Sequence, residues 1–252
     1  VFNDNFIIQS LPGLGKSYET HKVLSTLSTP PLLIEGSTSL SSFGIDLATA
    51  MYLNQGNRTT VVLDDCDSLF DNANINTMKG MFGTSKTFSY NKDVKRLYGT
   101  MTELNRQAVE HFADPERKGF RLPLDNVTVI ILTNIHMPTI NEVTSAKTVA
   151  KQTELGHLHA IRRRVEYKFI DMELMELWGY VANITLNGSI CEKFIPSITY
   201  EQKVQLAQWC YSNWDSMTER NLSIVEKMTK DIVRYPNNYM DIWQQEYLEK
   251  TK

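Results

Sequence analysis

Four short stretches of this chain carry side chains that could act on a phosphate ester. Ser10-Leu11-Pro12-Gly13-Leu14-Gly15-Lys16-Ser17 approximates GxxxxGK[ST], the pattern of a phosphate-binding loop. Such a loop works because its backbone N–H groups and the N-terminus of the following helix together form an anion site. Gly13 and Gly15 supply backbone freedom, Lys16 would neutralise β- and γ-phosphates, and Ser17 would offer its hydroxyl to Mg2+, with Tyr18 closing the binding segment. Ser10 stands where the pattern has its first glycine, which serine can replace if its backbone stays in an allowed region. In TTVVLDDCD an apolar run ends in Asp64 and Asp65; Asp64 would hold the ion through water and Asp65 would polarise an attacking water. NVTVIILTN ends in Asn134, placed to orient the same water, and AIRRRVEYKFI carries Arg162, Arg163 and Arg164. Each has a plainer reading: a glycine-rich turn, solvated acids at a strand end, a turn-forming asparagine, a surface cluster of arginines.

The chemistry needs elements that bring these stretches together. Continuous apolar, β-rich runs at residues 5–9, 31–36, 59–65 and 126–134 alternate with helical patterns, which predicts a parallel sheet with both faces covered. The expected fold is therefore a three-layer α/β domain over residues 1–170. In such sheets ligands bind at the carboxyl ends of the strands, where the loop and both polar strand ends fall. After about residue 170 the pattern becomes purely helical, predicting a small all-helical domain over residues 171–252. Thr199 and Gln202 mark one helix start with capping-box spacing.

Composition bounds the possibilities. With 252 residues, 42% hydrophobic and 22% charged, the chain can bury a substantial core. No apolar run approaches the ~20 residues of a membrane span, and the three cysteines, Cys66, Cys191 and Cys210, have neither disulfide-framework nor zinc spacing. A reducing cytoplasm fits. The chain opens at Val1 rather than Met, a few residues before its first strand, so residues upstream are expected. Charge is uneven: residues 79–121 hold nine Lys or Arg against five Asp or Glu, a local basic face that either solvates helices or contacts phosphates.

Loop, acidic strand end, polar strand end, arginine segment and helical region, in this order, resemble the AAA+ ATPase superfamily over nearly the whole chain. The resemblance implies a P-loop NTPase fold with a helical lid, and ATP and Mg2+ as cofactors. It makes SLPGLGKS the Walker A loop, VVLDD the Walker B strand and Asn134 the sensor 1 residue. Arg164, with Arg163 next, would be the arginine finger reaching a neighbouring subunit. Val225 stands where sensor 2 arginine is usual, with Arg220 a substitute from another turn. The DD pair also looks like AAA+ proteins encoded by bacteriophages, which would place the chain in the host cytoplasm.

The resemblance further implies a homo-oligomer, a hexameric ring without membrane contact, that moves or remodels nucleic acid or a nucleoprotein assembly. Alternatives are a polypeptide-unfolding machine and a slowly hydrolysing assembly switch. Phe43-Gly44 resembles an aromatic-glycine polypeptide grip, but Leu40, Phe43 and Leu47 also fall at the spacing of a buried helix face. Residues holding the adenine would partly precede the first strand.

Overall fold

A computed structural model describes residues 5–114 and 118–249; Arg117 of the basic stretch lies outside them. The chain forms two compact units, one comprising the segment up to Ser10 together with Lys16–Ile170, the other Leu11–Gly15 together with the chain from Asp171 onward.

The first unit is built on a five-stranded sheet of β1 (Phe6–Ser10), β2 (Leu32–Glu35), β3 (Thr59–Asp64), β6 (Val127–Thr133) and β7 (Glu166–Ile170). Their order is β2-β3-β6-β1-β7 and every pairing is parallel. The first four are the apolar runs of the sequence, each ending within a residue or two of its predicted bounds. Side chains alternate between the faces of a strand. On one face Ile7, Val61, Leu63, Val129 and Ile131 join the main core with residues of α2 (Leu40–Leu53), α3 (Ile75–Met81), α4 (Glu103–His111) and α6 (Val149–Arg162). On the other, Val62 and Leu132 pack against Leu24 of α1 (Lys16–Leu24), with Ile8 and Ile130 beside them. The result is a mixed α/β unit with helices against both faces of a parallel sheet. A short antiparallel pair, β4 (Thr87–Tyr90) with β5 (Phe120–Pro123), stands apart from the sheet. Its Phe88 and Phe120 rings reach the same core, Phe88 meeting Phe43 edge to face at 5.4 Å.

α2 settles one open reading. Ser39 caps it, and Phe43, Gly44 and Leu47 are buried in the core, with the Phe88 ring against Gly44 leaving no room for a Cβ there. The Phe43-Gly44 pair is thus a packing element. Between β6 and β7 lie α5 (Ile140–Thr144), started by a capping box of Thr139 and Glu142, and α6, capped by Thr148.

In the second unit α7 (Leu174–Asn187), α8 (Tyr200–Asn213), α9 (Leu222–Arg234) and α10 (Tyr239–Glu246) supply a separate core that includes Val181, Leu206, Cys210, Ile224, Val225, Met228 and Trp243. Thr199 and Gln202 form the expected capping box of α8. Residues 11–15 belong to this unit: Leu222 N–H donates to the Gly13 carbonyl at 2.9 Å, and the Tyr180 hydroxyl occupies the space a Cβ on Gly15 would need. The three cysteines are free and buried, and among the described residues no helix is long and apolar enough to cross a membrane.

Candidate functional site

β3, β6 and β1 are neighbours, so parallel register places their carboxyl ends side by side. Asp64 pairs with Leu132 and Gln9 with Thr133, which sets Asp65, Thr133–Asn134 and Ser10 along one edge of the sheet. Lys16, the first residue of α1, is buried at this edge. Its ammonium donates to Asn134 Oδ1 at 2.7 Å and to Ser10 Oγ at 3.2 Å. Asn134 Nδ2 in turn donates to Asp65 Oδ1 at 3.0 Å. A cation, an amide and a carboxylate are thereby joined in one chain of hydrogen bonds, with the amide oriented as its neighbours' charges require.

The electrostatics are those of a buried cation among carboxylates. Burial pushes the Lys16 ammonium below its ordinary pKa, and the nearby carboxylates of Asp65, Asp64 and Asp67 oppose that shift without cancelling it. Asp67 accepts from the Thr133 hydroxyl at 2.9 Å; burial pushes its carboxyl up, against that hydrogen bond. The Cys66 thiol, pushed by burial up to about 11, donates to the Ile34 carbonyl and is a packing residue.

Backbone geometry explains two residue choices. Gly13 and Gly15 have φ of 77° and 78°, a left-handed conformation that side chains resist. Asp65 has φ of 53°, and Asp is among the few non-glycine residues that tolerate this region. Its N–H still donates to the Leu132 carbonyl at 3.0 Å, so the chain makes one last ladder bond and turns, leaving the Asp65 carboxylate exposed at the edge. A glutamate, with its longer side chain, would sit less easily in this turn.

Asp64 points the other way from its neighbours in β3. It shares a face with Val62, the face that α1 covers, and is only 7% exposed. Its Oδ1 is buried without a hydrogen-bond partner among the described residues. Asp64, with the Ser17 hydroxyl on the adjoining helix, offers oxygen ligands of the kind Mg2+ takes, so the residues present fit that ion.

The arginines are elsewhere. Arg163 and Arg164 precede β7, which runs parallel to β1, so they lie at the amino end of the sheet while Lys16 lies at the carboxyl end. Arg164 donates to the Lys79 carbonyl at 3.1 Å and Arg163 caps α6; both are exposed. Arg162 is tied inward, donating to the Met137 carbonyl at 2.8 Å and stacking over Tyr167 at 4.1 Å. In the second unit Val225 is fully buried, and the Arg220 guanidinium donates to the Trp214 and Asp215 carbonyls. Of the loop residues, Leu11 and Pro12 are exposed, Leu14 is buried, and Ser17 and Tyr18 are half-buried.

Sequence reasoning missed Asp67, Thr133, His21 and Glu35. The last two had a readable signal: His21 is four residues after Ser17, one helical turn along the same face, and Glu35 ends an apolar run as Asp64 does. Neither a scan against protein-family models nor a search of curated proteins finds a match to this chain.

Proposed function

We propose that this chain is a P-loop nucleoside triphosphatase, binding ATP at the carboxyl edge of the sheet. The observation that carries this is the hydrogen-bonded series Ser10–Lys16–Asn134–Asp65, assembled at the start of the helix that follows the glycine loop. Lys16 would exchange its bonds to Ser10 and Asn134 for phosphate oxygens, and Asn134, released, would share with Asp65 the positioning of a water. Asp64 and Ser17 would hold Mg2+, which supplies charge stabilisation on the phosphates.

Within that class, the order of the motifs supports an AAA+ assembly, a homo-oligomeric ring that uses ATP to move or remodel nucleic acid or a nucleoprotein. Arg164 and Arg163 are too far along the sheet to reach Lys16 in their own chain, which agrees with a role toward a neighbouring copy. Phe43 is buried and offers no grip for a polypeptide, which counts against the unfolding reading. A second reading, an assembly switch that hydrolyses rarely, is favoured by the short, Asn134-bound Asp65 and by buried Val225 in place of an arginine.

ATP turnover measured alone and with single-stranded DNA, duplex DNA and an unfolded protein separates these readings. Stimulation by DNA supports the nucleic-acid motor, and slow, unstimulated turnover with nucleotide-dependent assembly supports the switch. Failure to bind Mg2+-ATP at all overturns the class.

A further inference from the structure

The α1-covered face of the sheet carries a second arrangement of chemical groups beside the phosphate edge. Glu35 ends β2 and is the direct register partner of Asp64, so both carboxylates project to the same face. Ser17, His21 and Leu24 form one stripe of α1, and Leu24 is packed on Val62 of that face, which brings His21 over the carboxylates. The potential ligand atoms of His21, Glu35 and Asp64 all lie within 4.8 Å of one another, the one such group among the described residues.

Two features separate this group from an ordinary ion pair. His21 Nε2 and Asp64 Oδ1 are both buried without a hydrogen-bond partner among the described residues. The His21 Nε2 to Glu35 Oε1 distance is 3.9 Å, too long for a hydrogen bond that would satisfy the ring. Native structures rarely leave two buried polar atoms side by side unpaired, and an ion between them accounts for both. Ligand atoms around an ion with bonds of about 2.0–2.2 Å stand roughly 3–4.3 Å apart, so the group must close by little more than about an ångström. The Glu35 side chain, 62% exposed, is free to make that movement.

The geometry points to a nucleotide-independent site for a divalent first-row transition metal, held by His21 Nε2, Glu35 and Asp64. One imidazole among two carboxylates selects this class, because a nitrogen donor favours ions such as Zn2+ and Co2+ while Mg2+ keeps to oxygen and water. The three protein ligands leave a position open. Only Asp64 is shared with the proposed ATP site, so the metal site does not rest on the nucleotide reading.

The test titrates Co2+ into the nucleotide-free full chain, following visible absorption, with Zn2+ and Mg2+ as competitors. One bound equivalent is expected, displaced by Zn2+ and not by Mg2+ at similar concentration. Loss of even an outer partner of a metal ligand typically weakens binding about 10–100-fold, so His21→Ala and Glu35→Gln should each weaken Co2+ at least that much. Both replace partly exposed side chains, and circular dichroism checks that they fold; Asp64→Asn is the buried third variant. Absence of Co2+ uptake by the parent overturns the site, as does uptake that His21→Ala leaves unchanged. Mg2+-ATP binding, measured separately on the same protein, shows which proposal has failed: Co2+ uptake without ATP binding leaves this site standing, and ATP binding without Co2+ uptake removes it.

Discussion

In Lys16→Ala the protein loses an ammonium that reaches Asn134 Oδ1 at 2.7 Å and Ser10 Oγ at 3.2 Å. Those are charged-to-neutral hydrogen bonds, each contributing about 1.5–3 kcal/mol. In a nucleotide complex they would be exchanged for bonds to phosphate oxygens, charged on both sides and stronger again. The surplus on binding is therefore about 1.5–3 kcal/mol, which corresponds to a roughly 10–150-fold weaker Kd in the variant. Stability of the free protein should fall as well, because the same two bonds are lost there. Burial disfavours the ammonium and offsets part of that loss, while the facing carboxylates of Asp65, Asp64 and Asp67 lose their counter-charge. A purely structural ammonium would lower stability in the same way and leave nucleotide affinity untouched. Calorimetric titration with a non-hydrolysable ATP analogue and Mg2+, beside thermal melts of both proteins, reads the two quantities independently. A Kd within about threefold of the parent, a difference under ~1 kcal/mol, would refute the phosphate assignment whatever the melt shows.

Other expectations follow from the same geometry. Asp65→Asn should bind ATP normally and stall turnover, because asparagine tolerates the left-handed backbone at φ 53° and can still bond Asn134 while lacking the carboxylate; parental turnover would show Asp65 to be only a turn residue. Arg164→Ala should bind ATP and lose about a thousandfold or more in rate, with partial recovery when mixed with Lys16→Ala; Arg163→Ala should lose less, and a rate per subunit independent of concentration would remove the finger role. Gly15→Ala should lower the melting temperature, since φ of 78° costs a β-carbon about 1–2 kcal/mol and Tyr180 Oη lies 2.1 Å from where it would sit; an unchanged melt would mean the loop repacks freely. Glu142 accepts from the Thr139 N–H at 2.7 Å, which with the Thr139 hydroxyl and His136 pulls its carboxyl down to about 2 from an unperturbed 4.5. Because the folded value is the lower one, its contribution is complete above the unfolded value and is lost as pH falls toward 2; Glu142→Gln should flatten that part of the stability profile in acid melts.

The strands and the helical second half were legible in the sequence because their signals are local. Val127–Thr133 is a strand buried on both faces, and an unbroken apolar run states that without reference to the rest of the chain. The same holds for the Thr199–Gln202 capping box and for the glycine pair, whose backbone demands are met within a few residues. β4 and β5 were not legible: TFSY and FRLP are four residues each, and their pairing across 29 intervening positions is a tertiary event.

The residue types of the candidate site could be named from the sequence, but their partners could not. Lys16 and Asn134 are 118 positions apart, and Asn134 and Asp65 are 69; only the order β3-β6-β1 puts their strand ends together. Why the acidic pair is Asp-Asp is likewise a matter of the fold. Asp64 sits on the face covered by α1, with an unpaired oxygen, and Asp65 takes a left-handed turn that suits aspartate. The grouping of His21, Glu35 and Asp64 joins a helix to two strand ends, each residue unremarkable in its own segment. Local propensity and periodicity are written along the chain, whereas register, strand order and the burial of one particular oxygen arise when distant segments share a core, and that is decided in three dimensions.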